Sequence, residues 1–394
     1  IRAMKLIAAE NGYDSFMEKL SAPAVTRSGK AAVIGDGPAG MSAAYFLRRA
    51  GMEVTLFEKN DALGGVVRHV IPEFRIPSDS IDKDAALLEK MGVNICLNTE
   101  IKEIDMLKNA GYTAVILAVG AHEPGVLRLE KGKPINALEF LADFKEKDGN
   151  LDIGKNVVII GGGNTAMDTA RAAKRTRGVE HAYLVYRRTK RYMPADEEEL
   201  VMAVDDGVEF MELLAPVKQE DGKLLCKVMK LGDFDASGRR GVVEAGEEKE
   251  VPADTVIAAV GERVPTSFYE ANGINVNERG RALVNEETCE TNLAGVYVVG
   301  DGLGGPATVV EGIRDGLKAA EAVIGETLVR DFAPEISEET IYSRRGGLAD
   351  LREDKEESGR CLTCGKVCEN CVEVCPNRAN ISIRVPGMDR HQII

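Results

Sequence analysis

The feature that most limits what this chain can fold into is a pattern that occurs twice: a short apolar run, a glycine-rich turn, a helix of small residues and a second apolar run. In the first copy, Ala31 to Ile34 is continuously apolar and reads as a buried parallel strand. Gly35-Asp36-Gly37-Pro38-Ala39-Gly40 follows, then a helix from about Ala39 to Ala50 and a strand, Val54 to Phe57, that ends in Glu58. The second copy runs from Val157 to Ile160 through Gly161-Gly162-Gly163-Asn164-Thr165-Ala166 and a helix containing Ala166 and Ala173. It closes with a strand, Ala182 to Tyr186, that ends in Arg187 and Arg188. Strands alternating with helices at this spacing call for parallel sheets, so the expected fold class is α/β with two Rossmann-like dinucleotide-binding domains.

Between and after these units, Ala114 to Val119 reads as a strand ending at Gly120, and Thr255 to Val260 as one ending at Gly261. Residues 214–252 alternate apolar and polar and read as antiparallel strands, Ala8 to Leu20 as a helix, and Val309 to Ile324 as a closing helix.

Each residue type in the turns has a chemical reason. Gly35 permits a tight turn, Gly37 lets backbone approach a pyrophosphate, and Gly40 allows close helix–strand packing, while the helix start at Pro38 and Ala39 directs its positive dipole end at phosphate. Glu58, followed by Lys59, stands where an acid accepts hydrogen bonds from ribose hydroxyls. A plain structural turn is the alternative, and the strand before, the helix after and the acid at the right distance count against it.

In the second unit Gly161, Gly163, Asn164, Thr165 and Ala166 form the Ala-ended variant of the same fingerprint. Arg187 and Arg188 replace the acid. An acid would repel a 2′-phosphate, whereas Arg pairs with it, in bonds contributing roughly 1.5–3 kcal/mol. NADPH is therefore expected over NADH, with two solvated arginines as the alternative. A third signal is Gly300-Asp301-Gly302, with Ala307-Thr308-Val309 opening a helix: the acid suits ribityl hydroxyls, and the helix start suits the flavin pyrimidine edge.

The eight cysteines are unevenly placed. Cys96, Cys226 and Cys289 stand alone, while Cys361, Cys364, Cys368, Cys371 and Cys375 crowd into one segment ending in Pro376. In a large α/β chain such a cluster reads as metal binding rather than as a disulfide scaffold, and the expected location is cytoplasmic. The spacing is close to the bacterial ferredoxin run, in which the Cys before Pro ligates the neighbouring cluster. A [4Fe–4S] cluster is expected, with zinc as the rival. On this reading Cys375 serves a second cluster whose other ligands lie beyond residue 394, and the sequence, which begins at Ile1, is a fragment.

The four histidines show no metal spacing, and no apolar stretch is long enough for a membrane helix. The net charge of -14 argues against a nucleic-acid surface.

Further motifs make the reading specific. Gly64-Gly65 with Ile71-Pro72-Glu73-Phe74-Arg75-Ile76-Pro77, the strand-Gly repeats at Gly120 and Gly261, and Asn164 to Asp168 with Tyr186-Arg187-Arg188 and Met193-Pro194 resemble the small subunit of glutamate synthase and its relatives. Among these relatives are NADPH-dependent ferredoxin oxidoreductases and the electron-input half of dihydropyrimidine dehydrogenase. The family places its iron–sulfur ligands before the FAD domain, and residues 1–29 hold no cysteine. With the cysteines placed after it, the chain most resembles the large proteins of the family labelled selenate reductase subunits.

The resemblance implies an FAD domain (30–140 and 253–330) interrupted by an NADPH domain (141–252). Residues 1–29 form an N-terminal helix and linker, 331–359 a second linker and 360–394 an iron–sulfur segment. FAD would rest on Gly35, Gly37, Pro38, Ala39, Gly40, Glu58, Lys59, Gly65, Gly120, Gly300, Asp301, Ala307, Thr308 and Val309. NADPH would rest on Gly161, Gly163, Asn164, Thr165, Ala166, Arg187, Arg188 and Gly261. Hydride transfer between these cofactors needs no protein acid or base, so no catalytic residue is assigned. The expected function is an electron-input module serving a partner domain or subunit, reversible in principle. The alternatives are a disulfide reductase of the thioredoxin-reductase type and a non-catalytic nucleotide-binding assembly subunit.

Overall fold

A computed structural model describes residues 2–234, 240–328, 382–384 and 391–393. The five clustered cysteines and the whole 331–359 linker lie outside the described residues. The chain divides into two units, Pro23–Ile324 and a second made of Ile1–Ala22 with Gly325–Ile394. In the latter the described elements are a helix, Arg2–Lys19, and an antiparallel pair of strands, Ser382–Arg384 with His391–Ile393.

The Pro23–Ile324 unit is built on two parallel five-stranded sheets. In the first, Lys30–Ile34 lies at the centre, with Ala114–Leu117 and then Val296–Val298 on one side and Glu53–Phe57 and then Asn94–Cys96 on the other. Its strands are almost wholly apolar because helices and loops cover both faces: Ala32, Val33, Leu56, Ile116 and Leu117 have no solvent exposure. Burial of each large aliphatic chain here contributes about 1.5–3 kcal/mol.

Helix Pro38–Arg49 follows the central strand and is crossed by helix Val309–Ile324. A Cβ on Gly316 would stand 2.3 Å from the Ala39 carbonyl oxygen, so only glycine lets the two backbones approach this closely. Ser42 Oγ donates to the Ile313 carbonyl across the crossing, at 2.8 Å.

The second sheet repeats the arrangement around Asn156–Gly161, with His181–Tyr186 and Glu209–Glu212 on one side and Thr255–Ala259 and Ile135–Asn136 on the other. Here the structure differs from the expected partition. Thr255–Ala259, grouped on sequence with the returning part of the first domain, pairs in register with Asn156–Gly161, and Ile135–Asn136 also joins this sheet. A strand ending in glycine is common to both sheets, so the motif alone does not say which one a strand enters. Helix Ala137–Glu146, capped by the Asn136 side chain, likewise packs in the second core.

Leu214–Glu220, Lys223–Phe234 and Arg240–Pro252 form the expected antiparallel sheet. The chain crosses between the two parallel sheets at Glu123–Pro124 and returns at Glu262–Arg263, and these short segments pair antiparallel with each other.

Candidate nucleotide-binding sites

Both glycine-rich turns sit where a central parallel strand ends and a helix begins, at the carboxyl edge of a sheet, which is where α/β folds bind ligands. In the first turn, Gly35 has φ +93, and a Cβ on it would stand 2.4 Å from the Ala118 carbonyl oxygen. A Cβ on Gly40 would stand 2.0 Å from the Gly35 carbonyl oxygen. Gly37, between them, has nothing within 4 Å of where its Cβ would project. The outer glycines are therefore required by packing, and the middle one faces open space at the uncapped start of helix Pro38–Arg49.

The second turn has the same division. A Cβ on Gly161 would meet the Ala259 carbonyl oxygen at 2.3 Å, one on Gly162 would enter the Tyr186 ring at 2.4 Å, and one on Gly163 would meet nothing. Tyr186 is held in place by donating its hydroxyl proton to the Tyr192 carbonyl at 2.8 Å. Gly163 caps helix Asn164–Arg175 without any side-chain hydrogen bond. Two backbone cradles with open space above a helix start are what a pyrophosphate requires, so the residues present fit a dinucleotide at both places.

At the first cradle Glu58 is buried and accepts from the Asn60 amide at 2.8 Å, with Lys59 exposed beside it. Asp36, the residue between Gly35 and Gly37, was not singled out on sequence although it stands inside the motif. Its carboxyl is 1% exposed, and Oδ2 accepts from the Gly64 amide at 3.0 Å. Oδ1 is buried with no hydrogen-bond partner. Burial, and then the neighbouring Glu58 carboxyl, push the Asp36 acid up to about 8. Through Gly64, Asp36 also fixes the turn at Gly65, whose Cβ position is 3.0 Å from Gly37 Cα.

Asp301 is half-buried at the end of the strand that borders the first sheet, and its Oδ1 accepts from the Ala307 amide at 3.1 Å. Burial raises its acid to about 6. The helix start at Thr308 and Val309 is less open than its sequence implies. Thr308 and Glu311 form a capping box, in which the Glu311 carboxylate accepts from the Thr308 amide at 2.9 Å and from its hydroxyl at 2.8 Å. One donor that would serve a flavin carbonyl is thus already engaged. Gly300 and Gly120 both have positive φ beside this helix start and the crossover respectively.

At the second cradle Arg187 is exposed, while Arg188 is half-buried and donates through Nε to the Arg240 carbonyl at 3.0 Å. That contact comes from the antiparallel sheet, which sequence spacing does not bring near, and it leaves Arg187 as the more accessible cation. Gly261 lies at the return crossover, and Glu262 beside it is bonded to the Thr165 side chain and raised chiefly by burial. The Glu262 charge also contributes to raising the Asp301 acid.

A separate groove of about 1010 Å³ borders Gly300 and Ala307 and is lined also by Leu283, Cys289 and Lys318; it includes none of the cradle glycines. Among the described residues no cluster of His, Cys, Asp and Glu has metal-binding geometry, and no helix is long and apolar enough to cross a membrane.

Comparison with known proteins agrees with this fold. Residues 29–316 match the model of the pyridine nucleotide-disulphide oxidoreductase family. The chain is 39% identical to the Escherichia coli (strain K12) protein YgfK, named as an oxidoreductase, over 98% of this chain and 39% of that protein. It is 36% identical to the beta subunit of the NADP(+)-dependent formate dehydrogenase of Moorella thermoacetica, over 84% of this chain and 48% of that one. It is 34% identical to the small chain of the NADPH glutamate synthase of Azospirillum brasilense, over 77% of this chain and 67% of that one.

Among solved structures, Mycobacterium tuberculosis FprA in complex with NADPH superposes with a TM-score of 0.65 at 20% identity, covering 84% of this chain and 89% of that one. The thioredoxin reductase of T. acidophilum superposes with a TM-score of 0.59 at 23% identity, covering 75% of this chain and 97% of that one.

Proposed function

Because the chain belongs to the pyridine nucleotide-disulphide oxidoreductase family, in its glutamate synthase small-subunit-like group, and is thus an FAD-dependent NAD(P)H oxidoreductase, we propose that it takes electrons from NADPH onto FAD and delivers them singly to an iron–sulfur centre. The observation that carries this reading is the pair of cradles, open at Gly37 and at Gly163, within one unit. When bound, the two cofactors supply hydride chemistry and its division into single electrons; the chain supplies position and electrostatics.

Gly35, Gly37 and Gly40 with Glu58 and Asp301 would hold FAD, with Asp36 shaping the turn. Gly161, Gly163, Thr165 and Arg187 would hold NADPH, and the exposed guanidinium of Arg187 favours the 2′-phosphate. The family's resemblance and the soft thiolate donor set support a [4Fe–4S] cluster on Cys361, Cys364, Cys368 and Cys371. The chain spans about 39% of the length of YgfK, and two of its relatives are named as chains of multi-subunit enzymes. Delivery to a partner domain or subunit in the cytoplasm fits this size relation.

A disulfide reductase of the thioredoxin-reductase type shares the fold but needs a reactive cysteine pair near the flavin. The three cysteines among the described residues are unpaired, and two of them, Cys226 and Cys289, are buried with their thiols pushed up to about 12 and about 11 by burial. Such thiols are poor nucleophiles. The experiment that tests the proposal is an anaerobic NADPH titration followed by absorbance and electron paramagnetic resonance. Flavin bleaching accompanied by a reduced-cluster signal is expected; bleaching with no paramagnetic cluster, or no bleaching, overturns it.

A further inference from the structure

The motif Ile71 to Pro77 has no part in either cradle, yet it lies between them. Its path begins at the first cradle, where Asp36 accepts from the Gly64 amide and the short helix Gly65–His69 starts. Val70 then packs against the core of the second domain. Pro72 to Ile76 make one helical turn, in which the Arg75 and Ile76 amides both donate to the Pro72 carbonyl, at 2.9 and 3.2 Å.

This turn presents Phe74 and Arg75 to helix Asn164–Arg175, the helix whose first turn is the second cradle. Asp168, Arg171 and Arg175 fall at i, i+3 and i+7 and share one face of that helix. Arg75 donates to both carboxylate oxygens of Glu199, in one bond at 2.8 Å through Nη2 and another through Nη1, and lies 3.1 Å from Asp168. The guanidinium carbons of Arg171 and Arg175 stand 5.0 and 4.2 Å from the Phe74 ring centre, and both cations are held by Asp206 at 2.6 Å. Lys145, on the other side, donates to the Ile71 carbonyl at 3.0 Å and pairs with Glu73 at 3.2 Å.

The covalent connections between the two domains are weak by comparison. They are the two crossings at Glu123–Pro124 and Glu262–Arg263, which pair with each other over two residues each. A two-stranded ribbon of this length resists rotation poorly. A bidentate arginine pair with little solvent exposure, together with a cation-held aromatic ring, resists it far better.

We propose that Phe74 and Arg75 are positioning residues, forming a clasp that locks the second nucleotide-binding domain at one angle to the first and so keeps the two cradles in register for transfer between their ligands. The inference rests on the reading of the cradles as NADPH and FAD sites. The clasp ties the helix that starts at Gly163 to the turn that starts at Gly64, so a rotation of either domain breaks it. Asp168 is buried, and its Oδ1 has no hydrogen-bond partner besides the ion pair with Arg75, which places the clasp on the nucleotide helix rather than on a loose surface.

The test uses the full chain with its cofactors, as wild type, as Arg75→Ala/Phe74→Ala and as the milder Arg75→Lys, which keeps charge and loses the bidentate fork. Amide hydrogen exchange is measured over residues 71–77 and over both crossings, alongside the rate of flavin bleaching by NADPH in stopped flow. The double variant is expected to exchange at least about tenfold faster in these segments, with both sheet cores protected as in the wild type. Its bleaching rate is expected to fall about tenfold or more at saturating NADPH, with half-saturation moved less than about twofold and flavin content unchanged.

Arg75→Lys should show the same split to a smaller extent, and it decides the matter if the double variant does not fold. Unchanged exchange in either folded variant overturns the clasp. Faster exchange with an unchanged bleaching rate overturns the positioning role. If wild-type flavin is not bleached by NADPH at all, the functional reading fails and the positioning role with it, while the exchange data still judge the clasp.

Discussion

Gly37 and Gly40 stand three residues apart in one turn, and the space around each separates cofactor binding from folding. Gly40 is enclosed by backbone, with its Cβ position 2.0 Å from the Gly35 carbonyl oxygen, whereas Gly37 opens onto nothing. Gly37→Val is therefore expected to give folded protein that purifies without flavin, read as native circular dichroism with the flavin absorbance absent. Gly40→Val should fail earlier, losing about 2 kcal/mol or more of stability because backbone must move. Asp36 allows a prediction in pH. Its acid is raised from 3.8 in the ordinary state to about 8 by burial and by Glu58. Between those values the unfolded chain gives up the proton while the folded chain keeps it, so this group's stability is complete below about pH 4 and is lost as pH rises through about 8. Asp36→Asn imitates the protonated acid and still offers an oxygen to the Gly64 amide. Calorimetric melting should show the variant closest to wild type near pH 4 and more stable by about 1 kcal/mol or more at pH 8; parallel melting curves at both pH values would sink the idea.

At the scale of elements, helix Val309–Ile324 is placed by what it lacks. Gly316 lets its backbone meet that of Pro38–Arg49, and the Cβ of any other residue would stand 2.3 Å from the Ala39 carbonyl oxygen and 2.9 Å from the Ala43 amide nitrogen. Gly316→Val is expected to lower the melting temperature and to loosen flavin, since the helix it pushes away is the one that begins at the first cradle. Flavin retention equal to wild type would show that the crossing is not coupled to the cradle. On the proposed reading, the two arginines that follow strand His181–Tyr186 set the choice of nicotinamide nucleotide. With Arg188 donating to the Arg240 carbonyl, Arg187→Ser should raise the Kd for NADPH roughly tenfold or more and change that for NADH little, while Arg188→Ser should act more weakly. Titration of each variant with both nucleotides checks the order. These elements were readable in the chain because continuous apolar runs, glycine turns and small-residue helices leave local marks: Ala31 to Ile34, Val157 to Ile160 and Val309 to Ile324 appear where they were expected. What was not readable depends on contacts between distant segments. Nothing near Thr255 says that it joins the second sheet, and nothing near Arg75 names Glu199 or Asp168 as partners. The groups that bear on the Asp36 acid, Glu58 and the Gly64 amide, are brought beside it only by the fold.

At the scale of the whole molecule, the proposed function puts electron entry at the two cradles and raises the question of where electrons would leave. Of the eight cysteines, the three among the described residues are unpaired and dispersed: Cys226 and Cys289 are buried, and Cys96 is half-buried on the edge strand Asn94–Cys96 of the first sheet. None of them sits with a second thiol, so a cluster in this chain has to draw on Cys361, Cys364, Cys368, Cys371 and Cys375. One [4Fe–4S] cluster takes four thiolates, and the ferredoxin pattern sends the Cys that precedes Pro to the neighbouring cluster. Cys375 precedes Pro376, so on that pattern it would be the surplus ligand. Anaerobically purified protein of this sequence should then contain about four iron and four sulfide per chain. Cys375→Ser should leave that count nearly intact, whereas Cys364→Ser should abolish it. Flavin content should be unchanged in both, because the cradle residues lie within Pro23–Ile324 and the cysteines within the other unit. Zinc in place of iron, or loss of all iron on replacing Cys375, would defeat the assignment. Iron retained with no NADPH-dependent reduction would instead separate a structural cluster from an electron carrier, and would move the exit of electrons to another group.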